Sequence, residues 1–337
     1  MQRLGAVQAQ DYAAAKWALG LRMKKATDAD IEQAFNDGKI LRTHVMRPTW
    51  HFVLPEDIRW MQELTAPRVK TLLAHYDWKL EIDRKLLLRA QSIIAKTLSD
   101  HNYQTREEIA QHLESKKIAA RGQRLAHIVM HAELHALICS GPRRGKQFTY
   151  ALLEERAPRP KKLSRDEALA TLASKYFTSH GPAQLKDFAW WSGLSVKDAT
   201  GAIQSIRPKI ITEAIDGKTY FLSPDTKPAR LRSPQAHLLS IYDEYTIAYK
   251  DYSSHGGETV HEKLRSMGNA LTSVLVLDGK IAGTWKRVVN KGTVKIATNP
   301  FRRLSKAEYE AVKAAAVRYG AFLEMPSVLS YGRHSNR

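Results

Sequence analysis

Ser164-Arg165-Asp166-Glu167 opens the stretch whose reading decides the fold. A serine followed three residues later by glutamate is a capping box, so a helix should start here and run to about Ser179. Ala183 to Trp191 follows, then the turn Ser192-Gly193 and a helix from Ser195 to about Ile206. Ile210 to Ile215, the turn Asp216-Gly217 and Thr219 to Leu222 read as a β-hairpin. Two helices joined by a short glycine-containing turn and followed by a β-ribbon make a winged-helix arrangement.

Working outward, the same order of elements recurs twice upstream. Thr27-Asp28-Ala29-Asp30 caps a short helix with Ile31, Ala34 and Phe35 on its apolar side. A strand pair follows, Ile40 to His44 and Thr49 to Leu54 with Arg47-Pro48 at the turn, and Pro55-Glu56-Asp57 opens a further helix. A leucine-rich helical linker leads to a second copy. Thr105-Arg106-Glu107-Glu108 is its capping box, a second helix spans about Gln123 to Ala136, and a hairpin carries a basic tip at Gly141-Pro142-Arg143-Arg144-Gly145. Glu154 to Lys162 reads as a linker. Beyond the third copy, Ser273 to Leu277, Ile281 to Val289 and Val294 to Ala297 form a three-stranded meander. Ser305-Lys306-Ala307-Glu308 then caps a final helix, and Gly332 to Arg337 reads as a frayed end. The fold class expected is α+β: tandem winged-helix motifs around a basic channel, with a C-terminal β-meander and helix. The boundaries expected are 1–100 (first motif with its linker), 103–158, 164–226 and 234–330.

Charge limits the partners. Lys+Arg 53 against Asp+Glu 34 gives +19 over 337 residues, and a chain this basic usually meets a polyanion, nucleic acid first. No apolar run is long enough to span a membrane and no signal peptide is visible. The single Cys139 leaves no intramolecular disulfide and no multi-cysteine metal site. These features predict a cytoplasmic protein.

At the N-terminus stands Leu4-Gly5-Ala6-Val7-Gln8-Ala9-Gln10-Asp11-Tyr12. In an extended backbone the period of two puts Gln8 and Gln10 on one face; in a helix they would lie roughly 200° apart. Arg42, Thr43, His44 and Arg47 sit on the first wing, Arg143 and Arg144 on the second hairpin, and Lys286, Arg287, Arg302 and Arg303 around the last meander. All are candidates for phosphate contacts, which position a duplex without reading its sequence; a solvated charged face is the plainer reading of each.

Other constellations are weaker. His127, His131 and His135 share a helical face, but the glutamate of a metalloprotease helix is missing, and no metal is expected. Gly141 to Lys146 lacks the spacing and the Ser/Thr of a phosphate-binding loop. Ser253-Ser254-His255 is read as a flexible loop, and Trp17, Trp190 and Trp191 as core. Asp243 beside Glu244 and Tyr245 is read first as half of an ion pair, with an electrostatic role at a site as the alternative.

Taken together, Gln8-Ala9-Gln10-Asp11, the wing Leu41 to Thr49, Thr65-Ala66-Pro67-Arg68-Val69, Gly181-Pro182 with Asp187 to Gly193, and Tyr242 to Asp251 resemble the AlkZ/YcaQ DNA glycosylase family over nearly the whole chain. The resemblance implies tandem winged-helix motifs around a basic concave channel, and excision of N7-alkylated purines, with interstrand crosslinks unhooked by some members. It implies catalysis by a Gln-x-Gln motif, matched by Gln8 and Gln10, rather than the Gln-x-Asp of another branch. In the family the motif follows an N-terminal helix, whereas seven residues precede Gln8 here; either the start is short or another segment supplies that packing. The function expected is a monofunctional DNA glycosylase without cofactor, a monomer acting on double-stranded DNA with little sequence preference. Gln8 and Gln10 would position the water, and Asp11 would cap the next helix or assist electrostatically. The competing expectation is a non-enzymatic winged-helix regulator, which should show strong sequence preference.

Overall fold

The computed structural model describes residues 1–157, 162–226, 233–251, 253–267 and 272–331. Among these the chain is mixed α/β, with thirteen α-helices and four small sheets. It divides into two compact units: Met1–Ala9 with Gln33–Thr226, and Gln10–Glu32 with Lys227–Arg337.

In the first unit, strand Ala6–Gln8 pairs antiparallel with Arg47–Val53, which pairs with Leu41–Val45. The reversal between the latter two falls at Met46, at φ 64°, beside a register shift after His44, so Arg47 already belongs to the strand. Helix Ile58–Lys79 buries Ile58, Met61, Leu64, Val69 and Leu73. The leucine-rich segment is helix Arg84–Leu98, and it is more than a connector. Its Ala90, Ile94 and Leu98 enter one core with Ile109, Leu113 and Ile128 of the following helices. The capping box at Thr105 and Glu108 is formed, starting helix Arg106–Ser115. Helix Gly122–Leu134 comes next, then strands Ile138–Ser140 and Thr149–Leu152. Where a linker is expected after Glu154, a short helix Leu153–Arg156 forms; Pro158 to Lys161 of that linker lies outside the described residues.

The Ser164–Glu167 capping box starts helix Arg165–His180. Helix Leu185–Ser192 ends at Gly193 in the left-handed conformation, φ 68°, and Ser195 caps helix Val196–Ser205. Strands Ile211–Ile215 and Lys218–Leu222 close the hairpin. Tyr176, Phe177, Phe188 and Trp191 are fully buried, with the Tyr176 and Trp191 rings 5.0 Å apart. Trp190, read as core, is instead 45% exposed, because consecutive helical residues lie about 100° apart and one of two adjacent indoles turns outward.

The second unit holds a five-stranded sheet rather than a three-stranded meander. Strand Ala236–Leu239 joins one edge and Ser327–Tyr331 the other, the latter parallel to Thr293–Pro300. Parallel neighbours need a crossover, and helix Lys306–Phe322, capped by Ser305 and Glu308, supplies it. Helix Tyr12–Gly20 belongs here too. Trp17 donates from Nε1 to the Leu238 carbonyl at 2.7 Å and meets Tyr319 edge-on at 4.8 Å. Ser253–His255 forms a short turn with His255 buried. Gly332 to Arg337 lies outside the described residues.

Candidate active site

The backbone is extended through Gln8 and Ala9, while Gln10 lies past the strand at a bend. Strand Ala6–Gln8 sits in register with Val53 to His51, and Ala9 continues the ladder, its N–H donating to the Trp50 carbonyl at 2.7 Å. Within the first unit, Lys175 holds this segment from below: its Nζ donates to the Gln2 carbonyl at 3.2 Å and pairs with Asp57 at 2.9 Å. Arg42 holds it from strand Leu41–Val45, on the far side of Arg47–Val53, its Nε donating to the Ala9 carbonyl at 3.0 Å.

Gln8 is 8% exposed and lies directly opposite His51, which is fully buried. Arg47 Nη2 donates to Gln8 Oε1 at 3.1 Å. A guanidinium has only donors, so the amide atom facing it must be the oxygen. The Arg47 guanidinium also lies 6.0 Å from the Trp190 ring centre, and Gly193 abuts the Met46 carbonyl beside it. Gln10 is exposed. Asp11 accepts from the Ala14 N–H at 2.9 Å and so caps helix Tyr12–Gly20.

The wing residues are turned inward. Arg42 is 9% exposed, its guanidinium 4.2 Å from the Trp50 ring centre and 4.7 Å from that of Phe148. Thr43 is fully buried and accepts from Gln62 Nε2 at 2.9 Å. His44 is buried against the Glu133 carboxylate and packs on Trp50. All five residues of Leu41–Val45 are buried because both faces of that strand are covered. A cavity of about 640 Å³, walled by Arg42, Trp50, Phe148 and Tyr150 with Arg106 and Lys146 at its lining, adjoins them.

The remaining basic candidates are dispersed over both units. Arg143 lies half-buried over Phe148, 4.8 Å from its ring centre. Arg144 is exposed at the hairpin tip and pairs with Glu108 at 2.6 Å. In the second unit, Lys286 and Arg303 are exposed. Arg287 lies over Tyr319 at 5.5 Å, and burial pushes its guanidinium below the ordinary arginine value against the pull of Asp11 and Asp28. Arg302 donates to Glu308 at 2.9 Å, which holds that carboxyl down at about 2. Asp243 is fully buried, with both oxygens taken by Arg22 at 2.6 and 2.9 Å. Burial works against the charge on Arg22, but Asp243 raises its pKa above the usual value.

Asp77 takes up His127 and His131, one on each oxygen at 2.8 Å. Burial lowers the pKa of His135. Among the described residues no group of three histidine, cysteine or acidic side chains is placed to hold a metal ion. Gly141 to Lys146 lies between two strands of a hairpin, not between a strand and a helix. His51 opposite Gln8, and the Arg47–Trp190 contact, escaped the sequence reading. Strand alternation alone places His51 on the Gln8 face once the register is known, but nothing local supplies that register.

A strand that ends at Gln8, held by buried Arg42 and half-buried Lys175 and Arg47, stands in a basic α/β chain. Residues 1–322 fit the model of the DNA glycosylase AlkZ-like family, and the chain belongs to that family. It is similar to the interstrand DNA cross-link repair glycosylase of Streptomyces sahachiroi, at 23% identity over 93% of this chain and 87% of that protein. The solved DNA glycosylase AlkZ of the same organism shares the fold, with a TM-score of 0.78, 20% identity and coverage of 97% of this chain and 92% of that one. Among the described residues no helix is long and apolar enough to cross a membrane.

Proposed function

We propose that this DNA glycosylase hydrolyses the N-glycosidic bond of cationic N7-alkylated purines, with Gln8 and Gln10 positioning the attacking water, and that it unhooks interstrand crosslinks; its Streptomyces relative is named an interstrand DNA cross-link repair glycosylase. The observation that carries the reading is the extended backbone through Ala9, with the Gln8 amide held by Arg47. A guanine alkylated at N7 carries positive charge. When its bond to C1′ breaks, the base takes the electron pair and leaves neutral, while the sugar becomes oxocarbenium-like. The barrier is already lowered, so no strong general acid is required. Amide carbonyls accept hydrogen bonds from a water and aim it at C1′, which is catalysis by positioning, and their dipoles favour cationic character at the sugar. In the sequence no lysine stands beside the glutamines, in keeping with hydrolysis without a Schiff base.

In this reading the three helix-and-hairpin segments act as winged-helix modules. The protein works as a cytoplasmic monomer on duplex DNA with little sequence preference, through phosphate contacts. Arg144, Lys286, Arg302 and Arg303 are the exposed contacts, with Arg144 and Arg302 each also paired to a glutamate, and Arg143 and Arg287 are the half-buried ones. Arg42, Thr43 and His44 support the wing from within.

The test is a duplex with one N7-methylguanine, incubated with protein and then alkali, with Gln8→Ala and Gln10→Ala alongside. Strand cleavage at that base that collapses in both variants is expected. Cleavage untouched by either substitution moves the catalyst elsewhere. Tight, sequence-selective binding without cleavage makes the protein a regulator instead.

A further inference from the structure

We infer that Arg47 is a positioning residue for Gln8 rather than a phosphate contact of the wing; the inference rests on Gln8 being catalytic. The side chain is half-buried at the first position of its strand, and its Nη2 donates to Gln8 Oε1 at 3.1 Å. Three neighbours constrain where it can go. Trp190 lies within cation–π distance, at 6.0 Å. A Cβ on Gly193 would fall 3.4 Å from Arg47 Cγ and 2.1 Å from the Met46 carbonyl oxygen, so the turn closing helix Leu185–Ser192 is pressed against the Arg47 stem and backbone. The register pairs Val45 with Arg47 across the reversal, so the backbone that carries the guanidinium is itself laddered.

The chemistry follows from the donor's identity. A free glutamine amide flips its oxygen and nitrogen between two nearly isosteric orientations, and only one presents an acceptor to water. A guanidinium can meet only the oxygen, so Arg47 selects one orientation. Oε1 has a second lone pair, which stays in the same plane and accepts from the water. The donation also polarises the carbonyl, raises the double-bond character of the amide C–N bond and slows its rotation. A lysine would supply a point charge without the planar fork, and a methionine would supply neither.

The experiment uses full-length protein with Arg47→Met and Arg47→Lys, each alone and combined with Gln8→Ala, after thermal melts establish that the variants are folded. Single-turnover release of N7-methylguanine is measured at saturating protein, with duplex affinity measured against salt. R47M should lower the saturating rate about 100-fold, the scale of a misplaced catalytic group, and the loss should vanish in the Gln8→Ala background. The salt slope should hold; loss of a phosphate contact would instead lower it by about one while sparing the saturating rate, and that result overturns the inference. The side-chain amide of Gln8, followed by nitrogen-15 NMR in DNA-free protein, gives a readout independent of activity. Its rotation should be slow in wild type and faster in R47K, which keeps the charge should R47M fail to fold. Equal rotation in both overturns the inference. If wild type releases no methylguanine, or Gln8→Ala releases it normally, the catalytic reading fails, and the amide resonance still reports whether Arg47 holds Gln8.

Discussion

Gly193→Ala and Gly201→Ala are the same chemical change eight residues apart, and the structure assigns them opposite signs. Gly193 sits at φ 68°, where an L-residue costs about 1 kcal/mol. Its added Cβ would stand 2.1 Å from the Met46 carbonyl oxygen, more than an ångström inside ordinary contact, and the obstacle is backbone that no rotamer change relieves. Overpacking of that kind costs about 1–3 kcal/mol, so the total is about 2–4 kcal/mol. In a unit of this size each kcal/mol moves Tm by about 2–4 °C, which predicts a fall of about 5–15 °C. Gly201 lies exposed inside helix Val196–Ser205 with nothing within 4 Å of its Cβ position, so alanine there should stabilise by about 0.5–1 kcal/mol. Thermal melts followed by circular dichroism at 222 nm compare the two variants with wild type. A Gly193→Ala protein melting with or above wild type would refute the reasoning, since it would mean that the turn does not press on the Met46–Arg47 backbone.

Three further outcomes follow from buried or paired charges. Arg22→Ala strands the fully buried Asp243 carboxylate and should cost about 3–5 kcal/mol in urea unfolding; a loss under about 1 kcal/mol contradicts the pairing. Arg302 and the Ser305 cap hold the Glu308 pKa at about 2, below its ordinary 4.5. A depressed folded-state pKa stabilises above the unfolded value and loses that contribution as pH falls through the folded one. The stability difference between wild type and Glu308→Gln should therefore be level above about pH 5 and close between about 4.5 and 2, and a difference independent of pH would oppose it. Cys139 is fully buried, and burial pushes its thiol up to about 12, so a disulfide reagent at pH 8 should label it only after denaturant is added; prompt labelling of folded protein would contradict that burial.

What the sequence determined by itself is what lies within three or four residues. The capping boxes at Thr105, Ser164 and Ser305 all form, because the serine or threonine and its glutamate are held together by a single helical turn. The Gly193 turn and the hairpins are likewise local. So is the period of two at Gln8 and Gln10, which has meaning only once the backbone is extended. Tertiary structure decided how far that extension reaches, through Gln8 and Ala9 and not Gln10, by pairing residues 6–8 with residues 51–53. It decided that Thr43 and His44 point into protein, since His44 meets Glu133, 89 positions away, and alternation cannot tell a strand covered on one face from one covered on both. It sent Trp190 outward and Trp191 inward, and added strands at both edges of the C-terminal sheet. It placed Gln10–Glu32 with the C-terminal residues, where Trp17 bonds to the Leu238 carbonyl 221 positions away. Caps and turns are short-range hydrogen bonds that a few residues satisfy among themselves, whereas burial and pairing depend on which distant surface arrives to cover them.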